Sequence, residues 1–384
     1  MDGMAVKRWG RWKALLLAAA LLTVWLGSAL CYTGSRREDP YPLRETMLDA
    51  YDRMAACMQA VRAEKLRRGL SIDPVVDPFD TGMLGIASSA ITTTLGALEA
   101  KRTSANPDMA ALCVRLFHEA GVKAGSRVGC CFSGSFPSLN IAVLCALDAI
   151  GAQPVYIASV GASTYGANQP ELTGPEMLQL CYQQGLLSTP PAAVTLGGGQ
   201  DLGQGMMAEF FDEEALLEET LQRLEQEGLH ITRMEDYAEN VAWRMSVYGS
   251  IDCFVNAGGN VTATGRDEAG YHLGQGLLRS RRFSSALTDQ SGLLCRYLAA
   301  GVPAIQLLNL KKLCADYHLD FDPSVWPARG ESGVFYQTGY SHVGLAVTAV
   351  AALLCLLAYY GVRQWEKRSA CKSKTENSSM SPLG

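Results

Sequence analysis

The chain has 384 residues and a formal net charge of −5, and 48% of its residues are hydrophobic while 18% are charged. This composition is typical of a globular protein and excludes an intrinsically disordered chain. The weakly acidic balance gives no support to nucleic-acid binding, for which a basic surface is needed.

Two uncharged segments near the chain ends predict membrane spans, at residues 14–32 and 343–362. A helix of the length of the first segment extends about 29 Å, which is enough to cross the apolar core of a bilayer. A cleaved signal peptide is the alternative interpretation of residues 14–32.

Basic residues flank both segments on the side away from the central region, in residues 1–13 and 363–384. Because cytoplasmic segments carry an excess of Lys and Arg, both tails are expected in the cytoplasm. The sequence therefore predicts a cell-membrane protein whose main domain, residues 33–342, lies outside the cytoplasm.

The main domain is expected to begin with a long helix over residues 43–69, where apolar side chains recur at helical spacing. Such a helix would form a stalk above the membrane. Residues 73–108 are rich in Pro, Asp, Gly and polar side chains, so we interpret them as a linker and a polar loop. A core then follows over residues 109–330.

Within this core, strand-like apolar runs alternate with helical ones. The expected strands cover residues 128–132, 154–159, 192–196, 251–256 and 302–308. Strands that alternate with helices indicate a parallel sheet covered on both faces. The predicted fold class is therefore α/β, with a doubly wound, mostly parallel, Rossmann-like sheet between two transmembrane helices.

The chain has 12 cysteines, and no pair has the C-x-x-C spacing of zinc or thioredoxin-type sites. Several lie in apolar runs, including Cys113, Cys130, Cys131, Cys145 and Cys253, so we expect them to be small core side chains. The sequence predicts neither a metal site nor a cofactor.

Four of the expected strands end in loops rich in small and polar residues: "SGSFPSLN", "GASTYGAN", "GGGQDLGQG" and "NAGGNVTATG". The carboxyl ends of parallel strands share one edge of a sheet, and ligands bind there. N–H groups at the start of the following helices favour anions. Ser135 as N-cap, with Pro137 in the first turn, suits such a helix start.

Lys101 and Arg102 add positive charge in the polar loop, where they would hold carboxylates. No P-loop and no G-x-S-x-G motif occurs in the chain. Ser135 is a weak candidate for a nucleophile, since no general base can be named from the sequence. The candidate ligand-binding residues are Lys101, Arg102, Thr103, Ser104, Ser133, Gly134, Ser135, Ser163, Asn168, Asn256, Gly258, Gly259 and Asn260.

The segments "ITTTLGALEAKRTSANPD", "SGSFPSLNIAVL", "VGASTYGANQPELT" and "VNAGGNVTATG" resemble those of the poly-gamma-glutamate system proteins. The resemblance covers roughly residues 40–340. It implies a bacterial membrane protein that works with the poly-gamma-glutamate synthase and its small membrane partner in producing a capsule-type polymer. It implies a pathway, and neither a reaction nor catalytic residues.

Three functions follow as hypotheses. The first is a membrane-anchored accessory protein that binds glutamyl carboxylates of the polymer at the strand-end loops, because small residues and N–H groups suit an anionic ligand. The second is a hydrolase or transferase that acts on the gamma-glutamyl polymer, with Ser135 or a neighbouring hydroxyl as nucleophile. The third is a nucleotide-binding subunit of a membrane complex, which would require the opposite membrane orientation.

Overall fold

The computed structural model describes residues 18, 21–22, 24–29, 32–33, 36–280, 286–340 and 342–378. The expected basic tail at residues 1–13 and much of the first expected span lie outside the described residues. The described residues from 18 to 33 are helical.

The chain divides into two compact units, one of residues 41–335 and one formed by the two chain ends. The strands are Arg36–Pro40 (β1), Arg127–Phe132 (β2), Gln153–Ser159 (β3), Asn168–Gln169 (β4), Leu172–Thr173 (β5), Ala193–Thr195 (β6), Ile231–Thr232 (β7), Cys253–Ala257 (β8), Gly276–Leu278 (β9), Ala304–Leu307 (β10) and Tyr336–Tyr340 (β11). The helices are Arg44–Arg67 (α1), Leu98–Ser104 (α2), Asp108–Ala120 (α3), Pro137–Ile150 (α4), Gly174–Gln183 (α5), Ala208–Phe211 (α6), Glu214–Gln226 (α7), Tyr237–Tyr248 (α8), Val261–Thr264 (α9), Ala269–His272 (α10), Leu293–Ala299 (α11), Leu310–Tyr317 (α12) and His342–Ser378 (α13).

The unit of residues 41–335 is built on a seven-stranded sheet with the order β7-β6-β3-β2-β8-β10-β9. Every neighbouring pair in it is parallel except β10 with β9, which is antiparallel. The predicted α/β class and mostly parallel sheet are thus confirmed. All five expected strands are present, with their ends within two residues of the expected ones.

The order of the strands reverses direction at the centre of the sheet. From β2 the chain moves outward through β3 and β6 to β7, and it then returns to β8 on the other side of β2. Because right-handed crossovers in opposite directions place their helices on opposite faces, this sheet is covered on both sides. The gap between β2 and β8 is the topological switch point, where open α/β sheets bind their ligands.

Apolar side chains of the strands bury against helices on both faces. On one face Val241 of α8 and Leu294 of α11 pack with Cys131, Ile157 and Phe254 of the strands. Alternate strand residues face the other side, where α1, α3 and α4 pack together. The predicted burial of the cysteines is confirmed at all five positions named above, which are free and buried.

Two segments differ from their expected structure. Helix α1 packs against α3 and α4, and its Met47, Met54 and Val61 are fully buried, so it belongs to the core and does not form a stalk. Residues 98–104, expected in a polar loop, form α2. Their sequence, LEAKRTS, lacks an apolar stripe, and the packing of the surrounding chain makes the segment helical.

Over the described residues, no helix is both long enough and apolar enough to cross a bilayer.

Candidate functional site

A solvent-open cleft of about 450 Å³ lies at the carboxyl ends of β2, β3, β6 and β8. All four loops that were expected to meet at this edge of the sheet contribute to it. A further wall is formed by residues 93–96, and Ala97, Ala100 and Lys101 line the cleft beside it. The cleft therefore occupies the switch point. Its lining residues are mostly small, with Lys101 and Asp201 as the charged members.

Two glycines let the loops approach one another closely. A Cβ atom at Gly134 would come within 2.9 Å of the carbonyl oxygens of Val160 and Gly161, so the loops after β2 and β3 meet there backbone to backbone. Gly258 has φ +99, a conformation that L side chains rarely adopt, and a Cβ atom on it would lie 2.9 Å from Cβ of Ser133. A side chain at either position would separate the loops.

The wall of residues 93–96 is held against the loop after β3 by a ladder of hydrogen bonds. Thr93 N–H donates to the Ala162 carbonyl oxygen over 2.8 Å, and Thr164 N–H donates to the Thr94 carbonyl oxygen over 2.9 Å. Gly96 N–H donates to Thr164 Oγ1 over 2.7 Å. The segment thus adds an ordered strand-like edge to the cleft.

Lys101 of α2 reaches into the cleft and is only 3% exposed. Its Nζ donates to the Ser135 carbonyl oxygen and, over 2.8 Å, to Ser163 Oγ. The Phe136 ring covers a third side of the amine, with its centroid 3.6 Å from Nζ. No carboxylate among the described residues forms an ion pair with this amine.

Burial lowers the pKa of Lys101 from its ordinary value of 10.5 to about 7. The physical cause is the loss of water around the ammonium, which neutral oxygens and an aromatic ring replace only in part. Near neutral pH the amine is therefore divided between its charged and neutral forms. Lysines with such properties in a cleft are candidates for functional groups.

Hydroxyl and amide groups also line the switch point. Ser133 Oγ accepts the Ser135 N–H over 3.1 Å, and Ser135 Oγ accepts the Ser163 N–H over 3.0 Å. Asn260 accepts the N–H of Thr262 over 3.0 Å. These bonds fix the backbone of three of the four loops.

The start of α4 faces the cleft, but its cap differs from the prediction. Phe136 is the N-cap residue and its side chain makes no capping hydrogen bond, so the assignment of Ser135 as N-cap is wrong. Pro137 stands at the first helical position as predicted. The physical reason is that the Ser135 hydroxyl and carbonyl bind Ser163 and Lys101 in place of the first turn of the helix.

A buried ion pair holds the loop after β6. Asp201 Oδ1 accepts hydrogen bonds from Thr195 Oγ1 over 2.8 Å and from Gly197 N–H over 3.0 Å. Its Oδ2 pairs with the guanidinium of Arg244 of α8 over 2.5 Å, and Arg244 is fully buried. Asp201 is satisfied by these donors, so we assign it to the scaffold of the glycine-rich loop.

The structure brings some of the sequence-derived candidates together in the cleft and places others elsewhere. Its lining includes Lys101, Ser133, Ser135, Ser163, Gly259 and Asn260. Gly134 and Gly258 lie beside the cleft and support its loops, as described above.

Arg102, Thr103 and Ser104 do not line the cleft. Arg102 makes a two-pronged ion pair with Asp322, with contacts of 2.7 and 2.6 Å. The Thr103 hydroxyl donates to the Glu99 carbonyl oxygen, and that of Ser104 donates to the Lys101 carbonyl oxygen.

The remaining two candidates are buried and hold the backbone of neighbouring segments. Asn168 exchanges hydrogen bonds with both backbone groups of Ile86, over 2.9 and 2.8 Å. Asn256 lies within β8 and donates to the Gly258 carbonyl oxygen over 2.8 Å. Neither side chain lines the cleft.

Sequence reasoning missed the wall of residues 93–96, together with Asp201 and Gln204, which also line the cleft. The signal for the wall was the run of threonines at 92–94, whose hydroxyls and extended backbone suit a strand-like edge. The glycine-rich loop after β6 was recognised, but no residue in it was chosen.

No group of His, Cys, Asp and Glu side chains in the described part of the chain has the arrangement of a metal site. Comparison of the chain with known protein families, with characterised proteins and with solved structures gives no match.

Proposed function

We propose that the chain is an accessory protein of poly-gamma-glutamate synthesis or export that binds glutamyl units of the polymer in the switch-point cleft. The observation that carries the proposal is the convergence of the four segments on which the resemblance rests. Each of them supplies lining residues, represented by Lys101, Ser135, Ser163 and Asn260.

The chemistry of the cleft suits this ligand. Each glutamyl unit carries one carboxylate, and the cleft offers hydroxyls and the start of α4, whose partial charge is positive. Lys101 adds a charge that no carboxylate of the described residues neutralises. Three neighbouring groups cover the Lys101 Nζ. We therefore expect the electrostatic attraction between this ammonium and a ligand carboxylate to act with the Ser163 hydroxyl lying between them.

The proposal also covers the partners of the protein and its location in the cell. On the strength of the resemblance, its partners are the poly-gamma-glutamate synthase and its small membrane partner. The net charge of −5 gives no support to a nucleic-acid partner. The uncharged segments at residues 14–32 and 343–362, with their basic flanks, support anchoring in the cell membrane with both termini in the cytoplasm.

The test is calorimetric titration of the full-length protein with poly-gamma-glutamate, with short gamma-glutamyl oligomers and with ATP. We expect both glutamyl ligands to bind, with an affinity that falls with added salt. Affinity is also expected to fall as the pH rises past about 7, because the Lys101 ammonium then loses its proton.

Lys101→Met removes the charge and preserves much of the bulk, so it should weaken polymer binding by about tenfold. Lys123→Met is the matched control. Lys123 is exposed and precedes the amino end of β2, so it lies at the end of the sheet away from the cleft. If neither poly-gamma-glutamate nor the gamma-glutamyl oligomers bind, the proposal is wrong. Binding of ATP alone favours the nucleotide-binding alternative.

A further inference from the structure

The Lys101 amine and the Ser163 hydroxyl have the geometry of a base and a nucleophile. Their Nζ and Oγ atoms are 2.8 Å apart, and both side chains line the cleft. A Cβ atom at Gly96 would lie 2.8 Å from Ser163 Oγ and 3.0 Å from Lys101 Cε, so the wall of residues 93–96 closes over the pair on one side. The backbone of Ser163 is fixed by its N–H bond to Ser135 Oγ.

We propose that Ser163 and Lys101 form a nucleophile–base pair that cleaves an amide bond of a ligand in the cleft. That the amide is a gamma-glutamyl bond rests on the proposed function, whereas the pair itself rests on the geometry. The inference moves the nucleophile from Ser135 to Ser163, because the amine contacts the carbonyl oxygen of Ser135 and the hydroxyl of Ser163.

The neighbours of the amine leave its lone pair directed to Ser163. A neutral amine has two protons and one lone pair, and the Ser135 carbonyl oxygen accepts one of the protons. The Ser163 hydroxyl then donates its proton to the lone pair over the same 2.8 Å. A base is most effective when its pKa is close to the working pH, and burial brings the pKa of Lys101 to about 7.

The reaction balances with water as the only co-reactant. Ser163 Oγ bonds to the amide carbon while its proton passes to Lys101 Nζ, and the carbonyl oxygen takes the negative charge. When that intermediate collapses, the C–N bond breaks and Nζ protonates the leaving amine. Water then attacks the acyl-serine, Nζ takes its proton, and cleavage of the ester C–O bond returns a proton to Ser163.

The experiment uses the full-length protein with a fluorophosphonate probe, which forms a covalent bond with activated serines. Peptide mass spectrometry then locates the label, and we expect it on Ser163. The labelling rate should rise with pH through about 7, opposite in sign to polymer binding, because the neutral amine is the active form. Absence of label on Ser163 in the wild-type protein overturns the inference without recourse to any variant.

Variants separate activation by Lys101 from simple access to Ser163. Lys101→Met should slow labelling by about a hundredfold, whereas Ser246→Ala, at an exposed serine on α8, should not change it. Ser163→Ala should abolish both labelling and release of p-nitroaniline from gamma-glutamyl-p-nitroanilide. Equal labelling of the wild-type protein and Lys101→Met would show that Lys101 is no base.

The two proposals fail in different ways. If poly-gamma-glutamate binds but Ser163 is neither labelled nor required for turnover, the pair is inert and the binding function stands. If Ser163 is labelled with the expected pH profile while no glutamyl ligand binds, the pair is active and the assignment of the ligand is wrong.

Discussion

Lys101 is the residue at which the proposed function and the stability of the fold are most directly opposed. Its amine lies in the cleft with neutral partners only, and its pKa is lowered to about 7. A group whose charged form is this poorly solvated destabilises the folded state, and proteins retain such groups where their chemistry is used.

The pH dependence of stability follows from this shift. Above about pH 7 the folded chain releases the Lys101 proton, whereas the unfolded chain keeps it until about pH 10.5. Between these values the unfolded chain binds more protons, so the free energy of unfolding contributed by this site rises with pH. Below about pH 7 Lys101 is charged in both states, so the free energy of unfolding is lowered by the full cost of burying the ammonium.

Lys101→Met should therefore raise the free energy of unfolding by on the order of 1–2 kcal/mol at about pH 6, with a smaller gain at about pH 9.5. Urea denaturation of the full-length wild-type and variant proteins at both pH values measures this difference. A variant that is less stable at both would show that Lys101 is a structural anchor and is not under strain.

The sequence was sufficient to choose Ser135 and Ser163 as polar residues near strand ends, and Lys101 as a cation of a polar segment expected to be a loop. It could not pair them, because Lys101 and Ser163 are 62 positions apart and their contact depends on where α2 lies. Arg102 is adjacent to Lys101 and chemically similar, yet its side chain pairs with Asp322. Helical geometry, which directs successive side chains to different faces, separates the two cations.

At the scale of elements, the glycine-rich loop after β6 depends on a helix on the face of the sheet. Arg244 of α8 binds Asp201 in the interior, and Asp201 in turn holds the Gly197 N–H. Removing one partner of a buried ion pair leaves the other charge without compensation. This lowers the free energy of unfolding by more than the loss of an exposed ion pair does.

Asp201→Asn should lower the free energy of unfolding by about 3–5 kcal/mol, because Arg244 stays charged in the core. Asp316→Asn is the control, since Asp316 makes an exposed pair with Lys312 over 2.7 Å and should contribute under about 1 kcal/mol. Chemical denaturation of the full-length proteins measures both. Equal small effects would mean that the buried pair contributes little to the fold.

The predictability of an element depended on its length and on its apolar pattern. Strands β2 and β3 have six and seven residues and are apolar over most of their length, and their bounds were predicted closely. Strand β9 has only three residues, too few for an alternating apolar pattern to be recognised in the sequence. It lies at the edge of the sheet, and its register is set by antiparallel pairing with β10. Helix α2 was missed because its sequence is polar and tertiary packing decides its structure.

At the scale of the whole molecule, the alternation of strands and helices was enough to predict the class of the fold and the edge at which a cleft forms. The number and order of strands were not accessible, because the position of β8 beside β2 depends on long-range pairing. The location of the chain in the cell does not follow from the fold. The proposal of a membrane location rests on the uncharged end segments and their basic flanks.

The proposed orientation predicts the outcome of surface labelling. In intact cells, an amine-reactive reagent that cannot cross membranes should modify the exposed Lys123, Lys311 and Lys312 of the main domain. Lys372 and Lys374 of the basic tail should react only after the cells are opened. Labelling of all five residues only in opened cells would place the main domain in the cytoplasm.

The pairing of β2 with β8 also has a consequence during synthesis on the ribosome. Val128 lies opposite Cys253, so half of the sheet is made before the strand that completes its centre exists. Until then one edge of β2 has open hydrogen-bonding groups, which expose the nascent chain to wrong partners and to aggregation. The cleft also lacks Asn260 and its neighbours at that stage, so the proposed ligand would stabilise completed molecules and not the unfinished chain.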